Sequence, residues 1–135
     1  MTVLFSDPRP SIRDFLRAAL AAREEAFLVG VIVSTKDLPV ADGSPRPYVR
    51  VSTDTRGRDA RLNGTASVRV QVWHPDEGYC ERIADLCEAL LLTASTATVR
   101  AVSPGYRLGP VSDPDTGEPL SSLTITARLR PVTLT

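Results

Sequence analysis

The stretch Ala66-Ser67-Val68-Arg69-Val70-Gln71-Val72-Trp73 decides the fold of this chain. Apolar and polar residues alternate along it, and successive side chains of a β-strand point to opposite faces of a sheet. The pattern therefore predicts a strand from Ala66 to Trp73. The segment His74-Pro75-Asp76 follows directly and ends the strand.

Helical spacing of apolar residues occurs on both sides of this strand. It predicts one helix from Pro8 to Ala22 and a second from Asp76 to Thr93. Asp76 and Glu77 would lie in the first turn of the second helix, where carboxylates complement the helix dipole. The apolar positions are Ile12, Phe15, Leu16, Ala19 and Leu20 in the first helix, and Tyr79, Ile83, Leu86, Cys87 and Leu90 in the second.

Further strands are predicted where β-branched or alternating residues occur. The run Phe27–Val33 indicates a strand that is buried on both faces or lies at a subunit contact. The other segments are Tyr48–Thr53, Thr98–Val102, Tyr106–Val111 and Leu123–Arg130.

Proline, glycine and polar residues predict the connections between these strands. Loops are expected at Leu38–Pro47, at Arg56–Gly64 and at Pro104–Pro119. Within the last of these, Asp113–Gly117 is typical of the turn of an extended hairpin. Such an arm would be long enough to reach a neighbouring subunit.

The order of these elements predicts an α+β fold. We expect a mixed, mainly antiparallel sheet with two helices packed on one face and an extended C-terminal β-hairpin. The chain has 135 residues, of which 42% are hydrophobic, so residues 1–135 are expected to form a single soluble domain. Sixteen basic residues balance sixteen acidic ones, which weakens the case for a nucleic-acid or membrane partner.

Residues that carry chemistry are few. His74 is the only histidine, which excludes zinc sites that need two or three imidazoles. Gly105 and Gly109 match neither a phosphate-binding loop nor a dinucleotide fingerprint. Cys80 and Cys87 lie seven positions apart on the second helix, about 10 Å along its axis, so we expect reduced, buried thiols and a cytosolic origin. The sequence therefore predicts a protein that is not an enzyme and has no cofactor or metal.

Local charge is unevenly distributed even though the total is zero. From Arg46 to Arg69 there are six arginines against two aspartates, and from Asp76 to Glu88 there are five acidic residues against one arginine. These two segments would pair within the chain or between neighbours in a ring. The candidate interface residues are Arg56, Arg58, Arg61, Asp76, Glu77, Glu81, Asp113 and Asp115.

Other interpretations of these charges remain open. Arg56, Arg58 and Arg61 would also suit contact with nucleic acid, or would lie on a solvated loop without a function. The acidic residues Glu81, Asp85 and Glu88 have the spacing of one helix face, which suits a metal site but is more common on a solvated face.

Several segments together carry a family resemblance. They are Pro8–Ala22, Phe27–Val33, Thr55–Asp59 leading into Ala66–His74, Ile83–Leu86, and the hairpin 113–119 before Leu123–Arg130. In this order they resemble the small tail terminator (tail completion) proteins of long-tailed bacteriophages, especially of actinobacterial siphophages. The resemblance covers nearly the whole chain and rests on element order rather than on a strict motif.

The resemblance implies a virion protein of the tail neck region, assembled in the host cytoplasm. It would form a hexameric ring on the head-proximal end of the tail tube and end the addition of tube protein. Its partners would be copies of itself, the tail tube protein and the head completion or connector protein. DNA would pass through the channel without sequence-specific binding, and no cofactor or membrane would be involved.

Three alternatives remain at this point. Another neck or head–tail joining protein would share the assembly principle but not the partner. A small-molecule-binding α+β domain would enclose a pocket between the sheet and the helices. An enzyme that uses His74 with a carboxylate would have a pocket at the start of the second helix.

Overall fold

A computed structural model of the chain describes residues 2–37, 47–59 and 63–134. The helices are α1 (Arg9–Ala21) and α2 (Glu77–Leu91), and a short 3-10 helix lies at Ala26–Leu28. The strands are β1 (Thr2–Phe5), β2 (Ile32–Ser34), β3 (Tyr48–Arg58), β4 (Gly64–Trp73), β5 (Val99–Ser112), β6 (Pro119–Leu129) and β7 (Pro131–Leu134).

Five strands form the main sheet in the order β2-β3-β4-β6-β5. Strands β2 and β3 run parallel, whereas the other neighbours are antiparallel. The remaining strands, β1 and β7, form a separate two-stranded antiparallel ribbon. The α+β fold class predicted from the sequence, with a mixed and mainly antiparallel sheet, is therefore confirmed.

Both helices lie on the same face of the main sheet. Helix α1 buries Ile12, Leu16 and Leu20, and α2 buries Ile83, Cys87 and Leu91, among others. These side chains share one core with the alternating apolar positions of the strands. The strand positions in this core include Val49, Val51, Val68, Val70, Val72, Leu123, Ile125 and Ala127. Each fully buried Val, Leu or Ile contributes about 1.5–3 kcal/mol to folding, so this single layer accounts for most of the stability.

Both predicted helices are confirmed within two residues at each end. Helix α2 begins after Asp76, whose side chain accepts a hydrogen bond from the Tyr79 amide at 2.9 Å. This is the usual arrangement of an N-cap aspartate. Strand β4 contains the whole segment Ala66–Trp73, and its Val68, Val70 and Val72 are fully buried.

The prediction of one strand over Phe27–Val33 is wrong. The chain forms the 3-10 helix at Ala26–Leu28, turns at Gly30 and pairs with β3 only from Ile32. Gly30 has a φ of 75°, in the left-handed region that glycine adopts at little cost. Its position inside the apolar run interrupts the extended conformation that the side chains alone would favour.

The predicted loop at Pro104–Pro119 is also wrong for most of its length. Residues 99–112 form the long edge strand β5, which merges the two strands predicted at Thr98–Val102 and Tyr106–Val111. Three irregularities interrupt its pairing with β6, and they fall around Arg100, Gly105-Tyr106 and Gly109-Pro110. Because bulges take up the extra residues, proline and glycine fit into a strand that stays paired. The turn itself spans 113–118, so the extended hairpin is β5 and β6.

The hairpin between β3 and β4 is longer than predicted. Arg56 and Arg58 belong to β3, and Gly64 begins β4, so both ends of the loop predicted at Arg56–Gly64 are strand. Of the predicted loop at Leu38–Pro47, residues 38–46 lie outside the described part of the chain, as does Arg61.

The bulge at Gly105 yields a test of the strand. A Cβ added at Gly105 would lie 2.4 Å from the Thr124 carbonyl oxygen, whereas one added at Gly57 would meet nothing within 4 Å. We expect Gly105→Ala to lower the free energy of unfolding by about 1–3 kcal/mol, the range for overpacking. The matched control Gly57→Ala should leave it unchanged or slightly higher. Equal unfolding midpoints in urea for the two variants would contradict the bulge described here.

Candidate assembly surfaces

The strand register gives the main sheet two distinct ends. At one end lie Tyr48, Trp73 and Ser112, together with the turn 113–118 and the start of α2. We call this the hairpin end. At the other lie Arg58 and Gly64, which continue into the β1–β7 ribbon through Leu129. We call this the ribbon end. The ten residues of β4 separate the two ends by about 30 Å.

The turn at the hairpin end is fixed by Asp113. Its carboxylate accepts hydrogen bonds from Trp73 Nε1 at 2.7 Å and from Thr116 Oγ1 at 3.1 Å, and from the Asp115 amide at 3.1 Å. Asp113 is only 8% exposed. Asp113 therefore has a structural role in the turn, and its interface role stays a prediction. Asp115 lies exposed on the same turn.

The hairpin end also carries large apolar side chains in contact with solvent. Leu108 pairs with Ser122 and Val111 with Leu120, and both point to the sheet face without helices. They are 66% and 56% exposed. Val111 and the exposed Glu77 line one shallow cavity of about 260 Å³. We name Leu108, Val111, Glu77 and Asp115 the hairpin surface.

The ribbon end carries a second apolar patch. Pairing of Leu4 with Val132 places both on the outer side of the ribbon, and Leu134 lies on that side as the partner of Thr2. These three side chains are 43–48% exposed. On the opposite side of the ribbon, Phe5 packs into the core.

Arginines predicted as interface residues hold this ribbon in place. Arg56 Nη2 donates to the Phe5 carbonyl oxygen at 2.6 Å, and Arg58 Nη1 donates to that of Val3 at 2.8 Å. The Arg58 guanidinium also lies 5.0 Å from the centre of the Phe5 ring. The carbonyl groups and the ring are neutral, and Arg56 also lies in the electrostatic field of Asp7, whose pKa is lowered mainly by its hydrogen bond with Arg9.

Arg56 and Arg58 rim a surface cavity of about 290 Å³, with Leu4, Phe5 and Leu129 among its lining residues. The lining combines apolar side chains with two arginines. We name Leu4, Val132, Leu134, Arg56 and Arg58 the ribbon surface.

Acidic side chains of α2 form ion pairs within the chain. Arg107 of β5 binds Glu81, Asp85 at 2.7 Å and Glu88 at 3.5 Å. Partial burial opposes the charged form of Arg107, but the hydrogen bond to Asp85 and the field of the acidic residues raise its pKa above the usual value. Two arginines of the segment from Arg46 to Arg69 also form ion pairs within the chain, Arg50 with Asp37 and Arg69 with Asp54.

Glu81 has two polar partners within the chain, and its interface role stays a prediction. Its second carboxylate oxygen accepts a hydrogen bond from the buried Ser121 at 2.9 Å, in addition to the pair with Arg107. Asp76, the N-cap of α2, has a structural task as well. Of the predicted acidic residues, Glu77 and Asp115 remain available on the surface.

His74 takes part in the same local structure at the start of α2. Its Nδ1 accepts a hydrogen bond from the Asp76 amide at 2.9 Å, and its ring meets that of Tyr79 edge-on at 5.5 Å. Through these contacts His74 caps the start of α2. Within residues 2–37, 47–59 and 63–134, no group of three or more His, Cys, Asp or Glu side chains is arranged to hold a metal ion. Neither α1 nor α2 combines the length and hydropathy that a membrane crossing requires.

The structure thus sorts the predicted interface residues by end. Arg56 and Arg58 lie at the ribbon end, whereas Glu77 and Asp115 lie at the hairpin end, with Asp76 and Asp113 beside them. The apolar members of both surfaces, Leu4, Leu108, Val111, Val132 and Leu134, were not predicted from the sequence. Their signal was present for β5, where Leu108 and Val111 interrupt a stretch otherwise rich in proline and glycine.

Comparison with known proteins identifies a structural relative. No protein-family model matches the chain, and a search of curated proteins also gives no match. Among solved structures, a chain described as "Virion of native gene transfer agent (GTA) particle" superposes with a TM-score of 0.64. The two chains share a fold. The alignment covers 93% of this chain and 99% of the other at 12% sequence identity. The similarity of fold therefore extends over most of the chain.

The buried hydrogen bond at the hairpin end can be tested by removing its donor. We expect Trp73→Phe to leave the buried Asp113 carboxylate without this partner and to lower the free energy of unfolding by about 1–3 kcal/mol. Tyr106→Phe is the control, because Tyr106 is 76% exposed, and it should change the free energy of unfolding little. Chemical denaturation measures both. A Trp73→Phe variant as stable as the control would contradict the structural role of this pair.

The two thiols give an independent test of core packing. Both cysteines are free and buried, as predicted. Burial raises the pKa of Cys87 to about 12, and it also raises that of Cys80. Since the thiolate is the reactive form, we expect neither thiol to react with iodoacetamide at pH 8 until the protein is unfolded. The exposed control Ser103→Cys should react within minutes. The packing would be contradicted if mass spectrometry finds Cys80 or Cys87 of the folded protein labelled as fast as the control thiol.

Proposed function

We propose that this protein is a structural component of a phage-like virion and has no catalytic activity. The observation that carries the proposal is the fold that it shares, over nearly the full length of both chains, with a chain of a gene transfer agent virion. The protein would act by contact with other virion proteins.

More specifically, we propose that copies of the protein cap the head-proximal end of the tail tube. As a ring, they would end tube polymerisation and provide the joining surface for the head completion proteins, while DNA passes through the channel. The element order that resembles tail terminator proteins supports this position in the virion. The two exposed apolar surfaces support it as well, because such patches on a small soluble domain mark sites of protein contact.

Purified tail tubes test the capping role directly. We expect the protein to bind one end of each tube and to stop elongation when free tube subunits are added. Leu108→Asp/Val111→Asp should abolish this by placing two charges on the hairpin surface, with the fold retained because both side chains are exposed. The matched control Ala101→Asp/Ser103→Asp adds the same charges to exposed positions elsewhere on β5 and should cap normally.

Negative-stain imaging and the lengths of the tubes give the result. Tubes that elongate equally with and without the protein would contradict the terminator role. Binding to connector complexes instead of tube ends would assign the protein to head–tail joining, which is the second role compatible with the shared fold.

A further inference from the structure

We infer that the hairpin surface of one copy binds the ribbon surface of the next copy, so that the protein assembles head to tail. The inference rests on the proposed self-assembly and deepens it by naming the two contacting surfaces. It does not depend on the position of the assembly in the virion.

The first support is the match between apolar areas. Leu108 and Val111 project from the helix-free face of the sheet near the hairpin end, and Leu4 and Val132 project from the outer side of the ribbon. All four are 43% or more exposed. Large aliphatic side chains at this exposure gain from mutual burial. The cavity beside Leu4, of about 290 Å³, has room for a side chain of the size of Leu108.

The second support is the match between charges. Arg56 and Arg58 belong to the ribbon surface and donate to neutral carbonyl groups. Asp7, the carboxylate in the field of Arg56, is itself paired with Arg9, so this end keeps a net positive charge. Glu77 lines one cavity together with Val111, and Asp115 lies exposed on the turn that follows Val111 along the chain. An acidic border thus faces a basic one, which favours a second copy of this chain over a partner of uniform charge.

The positions of the surfaces determine the kind of assembly. They lie at opposite ends of the main sheet, about 30 Å apart along the strands. A contact between two different patches is heterologous, and repetition of such a contact produces a closed ring or an open filament rather than a two-fold dimer. A ring is the outcome that the proposed function requires.

Strand β5 indicates that side chains rather than main-chain pairing make this contact. Its outer edge is interrupted by three bulges and by Pro104 and Pro110, which lack the amide hydrogen that a further strand would need. Such an edge resists addition of a strand. The apolar side chains remain available on its face.

Site-specific cross-linking tests the contact on the full chain. Val111→Cys and Leu4→Cys introduce one reactive thiol on each surface, and the native thiols are buried. A short bismaleimide is added at about 1 mM protein, a concentration that populates weak contacts. The double variant should form a ladder of covalent multimers, and an equimolar mixture of the two single variants should form dimers only. The control pair Asp14→Cys/Leu4→Cys uses an exposed position on α1 and should remain monomeric.

Each possible outcome decides the question. Dimers from Val111→Cys alone would indicate a two-fold contact and overturn the inference, as would a double variant that cross-links no more than the control pair. Asp115→Lys in the double cross-linking variant should reduce the ladder several-fold, and Asp14→Lys, which makes the same charge change on α1, should not. An equal effect of both lysine variants would overturn the charge match.

Failure of the inference and failure of the proposed function have different signatures. A ladder without binding to tail tubes would leave the head-to-tail contact in place and remove the terminator role. Binding of the wild-type protein to tube ends without any ladder would support the terminator role and overturn the head-to-tail contact.

Discussion

The pairing of β4 with β6 at the centre of the main sheet is the interaction on which the rest of the structure depends. Val68 lies opposite Ile125, and Val70 lies opposite Leu123, so that one apolar face extends across both strands. Helices α1 and α2 cover this face. Because both helices are on the same side, neither covers the other face. There Tyr48 and Trp73 form a small buried cluster at the hairpin end, and the edge strand β5 exposes Leu108 and Val111. The same pairing that creates the core therefore creates an uncovered surface.

Much of this layout is predictable because it depends on local periodicity. The alternation over Ala66–Trp73 and the helical spacing before and after it determine β4, α1 and α2 directly. The sequence predicts β5 as two separate strands because proline and glycine normally signal a loop, and only pairing with β6 shows that bulges accommodate them. The ribbon strands Thr2–Phe5 and Pro131–Leu134 escaped prediction because they are four residues long and pair with each other across nearly the whole chain.

The sequence predicts which charged residues lie at the candidate site better than it predicts the contacts that they make. Arg56 and Arg58 do lie on a surface, but they also bind main-chain carbonyl groups of β1, a contact between residues more than fifty positions apart. Glu81 is taken up by Arg107, which lies outside the arginine-rich segment. Neither pairing is predictable from the sequence, because the partners lie far apart along the chain. What remains exposed after these internal contacts are made is a smaller set of charges, divided between opposite ends of the sheet and accompanied by apolar residues.

The central claim is that the two ends of the sheet are the surfaces by which this protein assembles. Hydrogen–deuterium exchange, compared between the free protein and the protein bound to tail tube ends, tests it most directly because it measures protection segment by segment. We expect slower exchange on binding in the segment 106–115 and in the ribbon strands 2–5 and 131–134, with the outer face of α1 unchanged. Protection confined to the helices, with both ends of the sheet exchanging as in the free protein, would contradict it.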